Sequence, residues 1–118
     1  MNWFKKDIEK KILALLTLLL SFIVYLDTIS PTVPFWDCGE FIATAYTLGV
    51  PHPPGSPLFL LIGRIFSMIP FSQDIAFRVN LISTIVSALA VMFLFLITVQ
   101  LLQFRGKPTT KLQKLIVY

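Results

Sequence analysis

Two carboxylates three positions apart, Asp37 and Glu40, and the only histidine, His52, are the side chains of this 118-residue chain best suited to proton transfer or ligand binding. They lie in Ser30–Pro57, SPTVPFWDCGEFIATAYTLGVPHPPGSP, with the only cysteine, Cys38, and six of the eight prolines. On a helix, residues three apart are neighbours on one face. Two carboxylates facing a pocket can split their pKa values and supply a general base or a metal ligand. The same Asp-x-x-Glu spacing ahead of an apolar run also makes a capping box, with Asp37 as N-cap, worth ~1 kcal/mol, and Glu40 at the third helical position. The two readings are compatible, because a cap holds a carboxylate rigidly at a helix start. His52 is either a donor to a phosphate or a proton carrier, or a solvated or backbone-bonded turn residue. Arg64 and Arg78 carry the planar guanidinium fork that suits a phosphate; the other reading has them snorkelling to lipid headgroups. Phe35, Trp36 and Tyr46 fit an interfacial aromatic belt, with sugar stacking as the second reading. The Pro-Pro-Gly run reads as a rigid bend. Neither a Gly-rich phosphate loop nor a Ser-His-Asp pattern is present, and a single cysteine forms neither an internal disulfide nor a zinc site. No cofactor and no metal site are assigned.

The elements that must position these residues follow from composition. The chain is 56% hydrophobic, has a mean hydropathy of +0.81 and is only 14% charged, against about 25% in soluble domains. A chain this short cannot hide that content in one small core, whereas a bilayer solvates it. The fold class expected is therefore all-α integral membrane: two transmembrane helices, about 11–29 and 80–104, flanking a loop at about 30–78 that holds two short interfacial helices. Residues 105–118 form a tail. The net charge of +4 resides in the ends, which argues for topology and not for a nucleic-acid partner.

Charge sets the orientation. Lys5, Lys6, Lys10 and Lys11 against Asp7 and Glu9 give the leader +2. Arg105, Lys107, Lys111 and Lys114 give the tail +4, whereas Arg64 and Arg78 against Asp27, Asp37, Glu40 and Asp74 leave the loop at −2. Both termini are expected in the cytoplasm and the loop outside. The leader also resembles a signal peptide, but DTISPTVP has no small-x-small cleavage site. Phe41–Gly63 is uncharged, yet Pro51, Pro53, Pro54 and Pro57 rule out a continuous helix, each costing ~3 kcal/mol or more inside one. Two helices at about Asp37–Leu48 and Pro57–Met68 are predicted in its place.

FWDCGEFIATAYTLGVPHPPGSPLF, followed by FRVNLIS, resembles the opening signature of a family of multi-spanning membrane proteins common in Bacteroidetes-type bacteria. The family is related to the eukaryotic transmembrane O-mannosyltransferase of IPT domains. The resemblance implies the N-terminal part of a GT-C-like glycosyltransferase in a bacterial inner membrane. Its donor would be a polyprenyl-phosphate sugar and its acceptor a secreted or periplasmic protein. The reaction implied is inverting transfer of a hexose, taken as mannose, to a Ser/Thr hydroxyl. Asp37 matches the catalytic aspartate and Glu40 its neighbour, and His52, Arg64 and Arg78 are candidates for the donor phosphate. Family members are several times longer, and KLQKLIVY reads as the start of a third span, so a fragment inactive by itself is expected. The alternative functions are a two-span accessory subunit and a transporter fragment whose loop carboxylates bind ions.

Overall fold

The computed structural model describes residues 2–104, which form four helices: α1 (Asn2–Asp27), α2 (Cys38–Thr47), α3 (Pro57–Met68) and α4 (Ile75–Phe104). No strand occurs among the described residues, in keeping with the all-α expectation. The expected tail and third span at 105–118 lie outside them. The chain divides into two compact units, one made of Tyr25–Val86 and the other of the chain up to Val24 and from Ser87 onward.

In the second of these units apolar side chains face outward. Ala14, Ala88 and Val99 are buried, whereas Leu15, Leu16, Leu19, Leu20, Ile23, Phe93, Leu94 and Leu101 are exposed. The hydroxyls of Thr17, Ser21 and Thr98 return to Leu13, Thr17 and Leu94 carbonyls at 2.7–2.8 Å, so each polar group is satisfied within its own helix, as a bilayer demands. Ile75–Leu102 is long and apolar enough to cross a membrane and, among the described residues, is the one helix that meets both criteria; 28 residues at 1.5 Å give about 42 Å. α1 ends at Asp27, two residues short of the expected boundary. Its uncharged run Ile12–Leu26 covers about 22 Å, less than the ~30 Å hydrocarbon core.

α4 begins at Ile75, five residues before the expected boundary near 80. The cause is Asp74, whose Oδ1 accepts the Ala76 and Phe77 backbone N–H groups at 2.7 and 3.4 Å, a side-chain N-cap. Arg78 therefore lies inside the helix and not before it.

Within Tyr25–Val86 the two short helices fall where proline and periodicity place them. α2 ends at Leu48, which adopts the left-handed conformation (φ 55°), and the Gly49 N–H closes on the Thr44 carbonyl at 2.9 Å. α3 begins with Pro57 at its first position, where the missing N–H costs nothing, and stops before Pro70, with Ile69 extended. α2 packs on α3, and the approach is close at Gly63: a Cβ there would stand 2.8 Å from the Ala45 Cβ. Ile42 of α2, Ala76, Val79 and Ile82 of α4, and Phe59, Ile62 and Phe66 of α3 make the shared core.

Candidate functional site

The site is assembled at the start of α2 and the turn before α3. The chain enters α2 through Trp36, whose φ of 66° is unfavourable for a side chain with a Cβ, and Asp37 follows in the helical region (φ −68°, ψ −3°). Asp37 is the N-cap residue by position but makes no side-chain capping hydrogen bond. The expected capping box does not form. A cap side chain folds back onto the helix from an extended backbone, and Asp37 is already helical; Glu40 is engaged elsewhere.

Glu40 reaches across to the turn. Its Oε1 accepts the backbone N–H of His52 and its Oε2 pairs with the His52 Nδ1, both at 2.7 Å. The turn itself is closed by the Gly55 N–H on the His52 carbonyl at 3.0 Å, with Gly55 at φ 71° and a cis bond between Pro53 and Pro54. Gly55 suits that backbone because it has no Cβ. The His52 ring also packs edge-to-face with Phe41, ring centroids 5.9 Å apart, and Phe41 does so with Phe59 of α3 at 6.0 Å. The imidazole is thus fixed by a carboxylate and an aromatic brace. Its second nitrogen, Nε2, faces Asp37 Oδ2 at 3.9 Å, an ion-pair distance when the ring is protonated and too long for a hydrogen bond.

The electrostatics follow from these contacts. The His52 ring hydrogen bond, then the His52 backbone N–H, hold the Glu40 carboxyl below its ordinary range. The Glu40 hydrogen bond, then the Glu40 charge, with a smaller contribution from Asp37, raise the His52 imidazole above 6.5. Ionised Glu40 fixes the proton on Nδ1 and leaves Nε2 turned to Asp37. Asp37, Glu40 and His52 each offer a possible metal-ligand atom within 4.8 Å of the others. All three side chains stay accessible, at 65%, 40% and 47%, so the cluster can meet an external molecule.

The remaining candidates lie elsewhere in the same unit. Arg64 donates to the Tyr46 carbonyl and stacks over the Tyr46 ring at 5.5 Å. Arg78 donates to the carbonyls of Ser67 (2.9 Å) and Ser72 (2.7 Å from Nε), with a further contact from its second terminal nitrogen to Ser72. Both guanidinium groups bind backbone carbonyls in this structure. Phe35 and Trp36 are 90% and 94% exposed, compatible with an interfacial belt. Two features were not legible in the sequence. The Glu40–His52 pair bridges 12 positions, beyond any local spacing rule. Asn80, a lone amide in the apolar start of α4, donates to Ser30 and Thr32 carbonyls at 3.0 and 2.9 Å; its polarity within FRVNLIS was the available signal.

Residues 37–118 match the family described as the N-terminal domain of protein O-mannosyl-transferase TMEM260. The match opens on Asp37 and takes in every candidate above from Asp37 to Arg78. A Dictyostelium discoideum protein named protein O-mannosyl-transferase tmem260 is 37% identical over 95 residues, covering 77% of this chain and 12% of its own length. A Mus musculus protein named protein O-mannosyl-transferase TMEM260 is 41% identical over 73 residues, 61% of this chain and 10% of its own length. The chain thus spans about a tenth of the length of these relatives. No solved structure matches it. With more than half of its residues matched, the chain belongs to the protein O-mannosyl-transferase TMEM260 N-terminal domain family.

Proposed function

We propose that this chain is the N-terminal portion of a membrane O-mannosyltransferase and carries its catalytic base, Asp37. The observation that carries the reading is the convergence of Asp37, Glu40 and His52 on one accessible cluster within the family-matched segment. In this proposal α4 spans the bilayer, as does α1 with Lys10 and Lys11 snorkelling to the headgroups, the loop at about 30–78 is extracytoplasmic, both termini are cytoplasmic, and the donor is mannose on polyprenyl phosphate. The acceptor Ser or Thr oxygen attacks the anomeric carbon from the face opposite the phosphate, and inversion results. The bond from carbon to phosphate oxygen breaks, the phosphate keeps the electron pair, and Asp37 takes the hydroxyl proton. A base of this kind gains its effect from position more than from basicity.

The geometry divides the labour among the other groups. Inverting displacement puts base and departing group on opposite faces; in inverting glycosidases the two catalytic groups stand about 6.5–9.5 Å apart. His52 Nε2 lies only 3.9 Å from Asp37 Oδ2. In this reading His52 therefore works with Asp37, orienting its carboxylate, and Glu40 acts through His52. The cation that meets the phosphate comes from outside the trio. Arg64 and Arg78 are this chain's candidates, provided they exchange their carbonyl partners for the donor.

The test is transfer of labelled mannose from polyprenyl phosphate to a secreted acceptor domain. It uses membranes of a host lacking its own enzyme, with the protein expressed from its complete reading frame. Transfer by wild type and none by an equally inserted Asp37→Asn is the expected result. Equal transfer by both would remove the base from Asp37, and no transfer by either inserted protein would overturn the reaction.

A further inference from the structure

Asp37 owes its place to its backbone, because its side chain makes no capping bond. What fixes that backbone is the non-helical segment from Ser30 to Trp36 that delivers it. Asn80, Ser30 and Val33 hold the segment. Asn80, in the second turn of α4, spends its amide nitrogen on two carbonyls, those of Ser30 at 3.0 Å and Thr32 at 2.9 Å, across 50 and 48 residues of sequence. The Ser30 hydroxyl donates to the same Thr32 carbonyl at 3.0 Å. Val33 lies so close over α2 that a Cβ at Gly39 would stand 3.2 Å from its Cγ1. Beyond Val33 the chain makes the left-handed step at Trp36 and reaches Asp37.

We infer that Asn80 is a positioning residue for Asp37, acting through the Ser30–Trp36 segment; the catalytic part of this inference rests on the function proposed above. A primary amide suits such a clamp because it has two N–H hydrogens on one nitrogen, so one group serves two carbonyls. Aspartate has the same shape and no donor. Asn80 stands on the helix that also supplies Ala76, Val79 and Ile82 to the core, so the clamp is anchored beside that core. It also reaches the start of α2: Asn80 and Cys38, the residue after Asp37, line one cavity of about 300 Å³ together with Phe41 and Phe59. Releasing Thr32 lets the segment swing about Val33, and Asp37 Oδ2 then leaves its 3.9 Å register with His52 Nε2.

The experiment compares wild type, Asn80→Asp and Asn80→Gln in the complete protein, with two readouts. The first is the rate of chymotrypsin cleavage at Phe35 and Trp36, which are almost fully exposed and are cut faster when the segment loosens. Asn80→Asp should be cleaved about tenfold faster, and Asn80→Gln, which keeps both donors, within about threefold of wild type. The second is transfer kinetics per folded molecule: kcat about tenfold lower in Asn80→Asp, KM for the polyprenyl-phosphate donor within about twofold, and recovery of kcat in Asn80→Gln. Unchanged cleavage would overturn the clamp. Faster cleavage with unchanged kcat would overturn its role toward Asp37 and leave a structural residue. If wild-type protein transfers no mannose, the proposed reaction fails and the positioning role falls with it, while the cleavage rates still decide whether the clamp exists.

Discussion

Gly63→Ala is the most direct probe of the packing that brings the site together. The added Cβ would lie 2.8 Å from the Ala45 Cβ, 3.8 Å from Val79 Cγ1 and 4.0 Å from Ile82 Cδ1. Carbon atoms rest at about 3.5–4.0 Å, so α2 and α3 must part by roughly 0.7–1.2 Å at this point. Ala45 is fully buried and its methyl has no rotamer with which to yield. Overpacking of this kind costs ~1–3 kcal/mol, and replacing glycine by alanine inside a helix returns about 1 kcal/mol. The expected outcome is a net loss of about 1 kcal/mol in reversible denaturant unfolding in detergent micelles, followed by circular dichroism. Moving the methyl to the other helix supplies the control: Ala45→Gly with Gly63→Ala removes the clash while the two propensity changes cancel. That double variant should return close to wild type, with an interaction energy of about 2 kcal/mol. The helices are also the two arms of the site, since α2 carries Glu40 and the turn before α3 carries His52. Parting them stretches the 2.7 Å contacts between those residues beyond hydrogen-bond range. Gly63→Ala that stabilises the protein by the full ~1 kcal/mol of helix propensity would refute this reasoning, for it would show that α2 and α3 have room to spare.

The Glu40–His52 pair makes the site's order depend on pH in two opposed directions. His52 is raised, so its contribution is complete below 6.5 and is lost as pH rises through its folded pKa; Glu40 is lowered, so its contribution is complete above 4.5 and is lost as pH falls through its folded pKa. The pair should be fully formed between those limits, and Glu40→Gln should bring the His52 titration, read by NMR of the ring, back down toward 6.5; an unmoved midpoint would mean that Glu40 is not its partner in solution. Arg78→Lys keeps the charge and loses the fork that reaches Ser67 and Ser72 together. It should cost about 1–3 kcal/mol in unfolding with the donor KM unchanged; unchanged stability with a raised KM would assign the guanidinium to phosphate.

What could be read from the sequence was what local chemistry determines. The observed α3, Pro57–Met68, coincides with the helix predicted to follow the PHPPGSP turn, and Pro70 follows its end. α2 fell within a residue of its predicted bounds at each end. The family resemblance carried by WDCGE and HPPGSP was matched by the family comparison. The errors share one physical origin. Asp-x-x-Glu looks like a capping box because cap chemistry is short-range, whereas Glu40's actual partner is brought to it by the return of the chain at the proline turn. Helix α4 starts at Ile75 and not near 80 because one loop carboxylate, Asp74, accepts two backbone N–H groups. Arg78 lies within α4, and its carbonyl partners, Ser67 and Ser72, become visible only once the loop between α3 and α4 is folded.

The proline-rich loop gains a meaning in the structure that composition could not give it. A bend between helices would need only to be polar and short. This one presents the backbone N–H and Nδ1 of a single residue, His52, to a single carboxylate, which requires the backbone and the ring to face the same way. Phe41, one turn into α2 beside Glu40, packs edge-to-face with the imidazole and with Phe59 in the first turn of α3. The histidine is therefore held by the same two helices whose approach Gly63 permits, and its free nitrogen is left with one direction, toward Asp37. The carboxylates of Asp37 and Glu40, equivalent as a sequence pattern, thereby become different in kind: Glu40 is engaged in holding the ring, whereas the Asp37 carboxylate makes no capping bond and stays accessible.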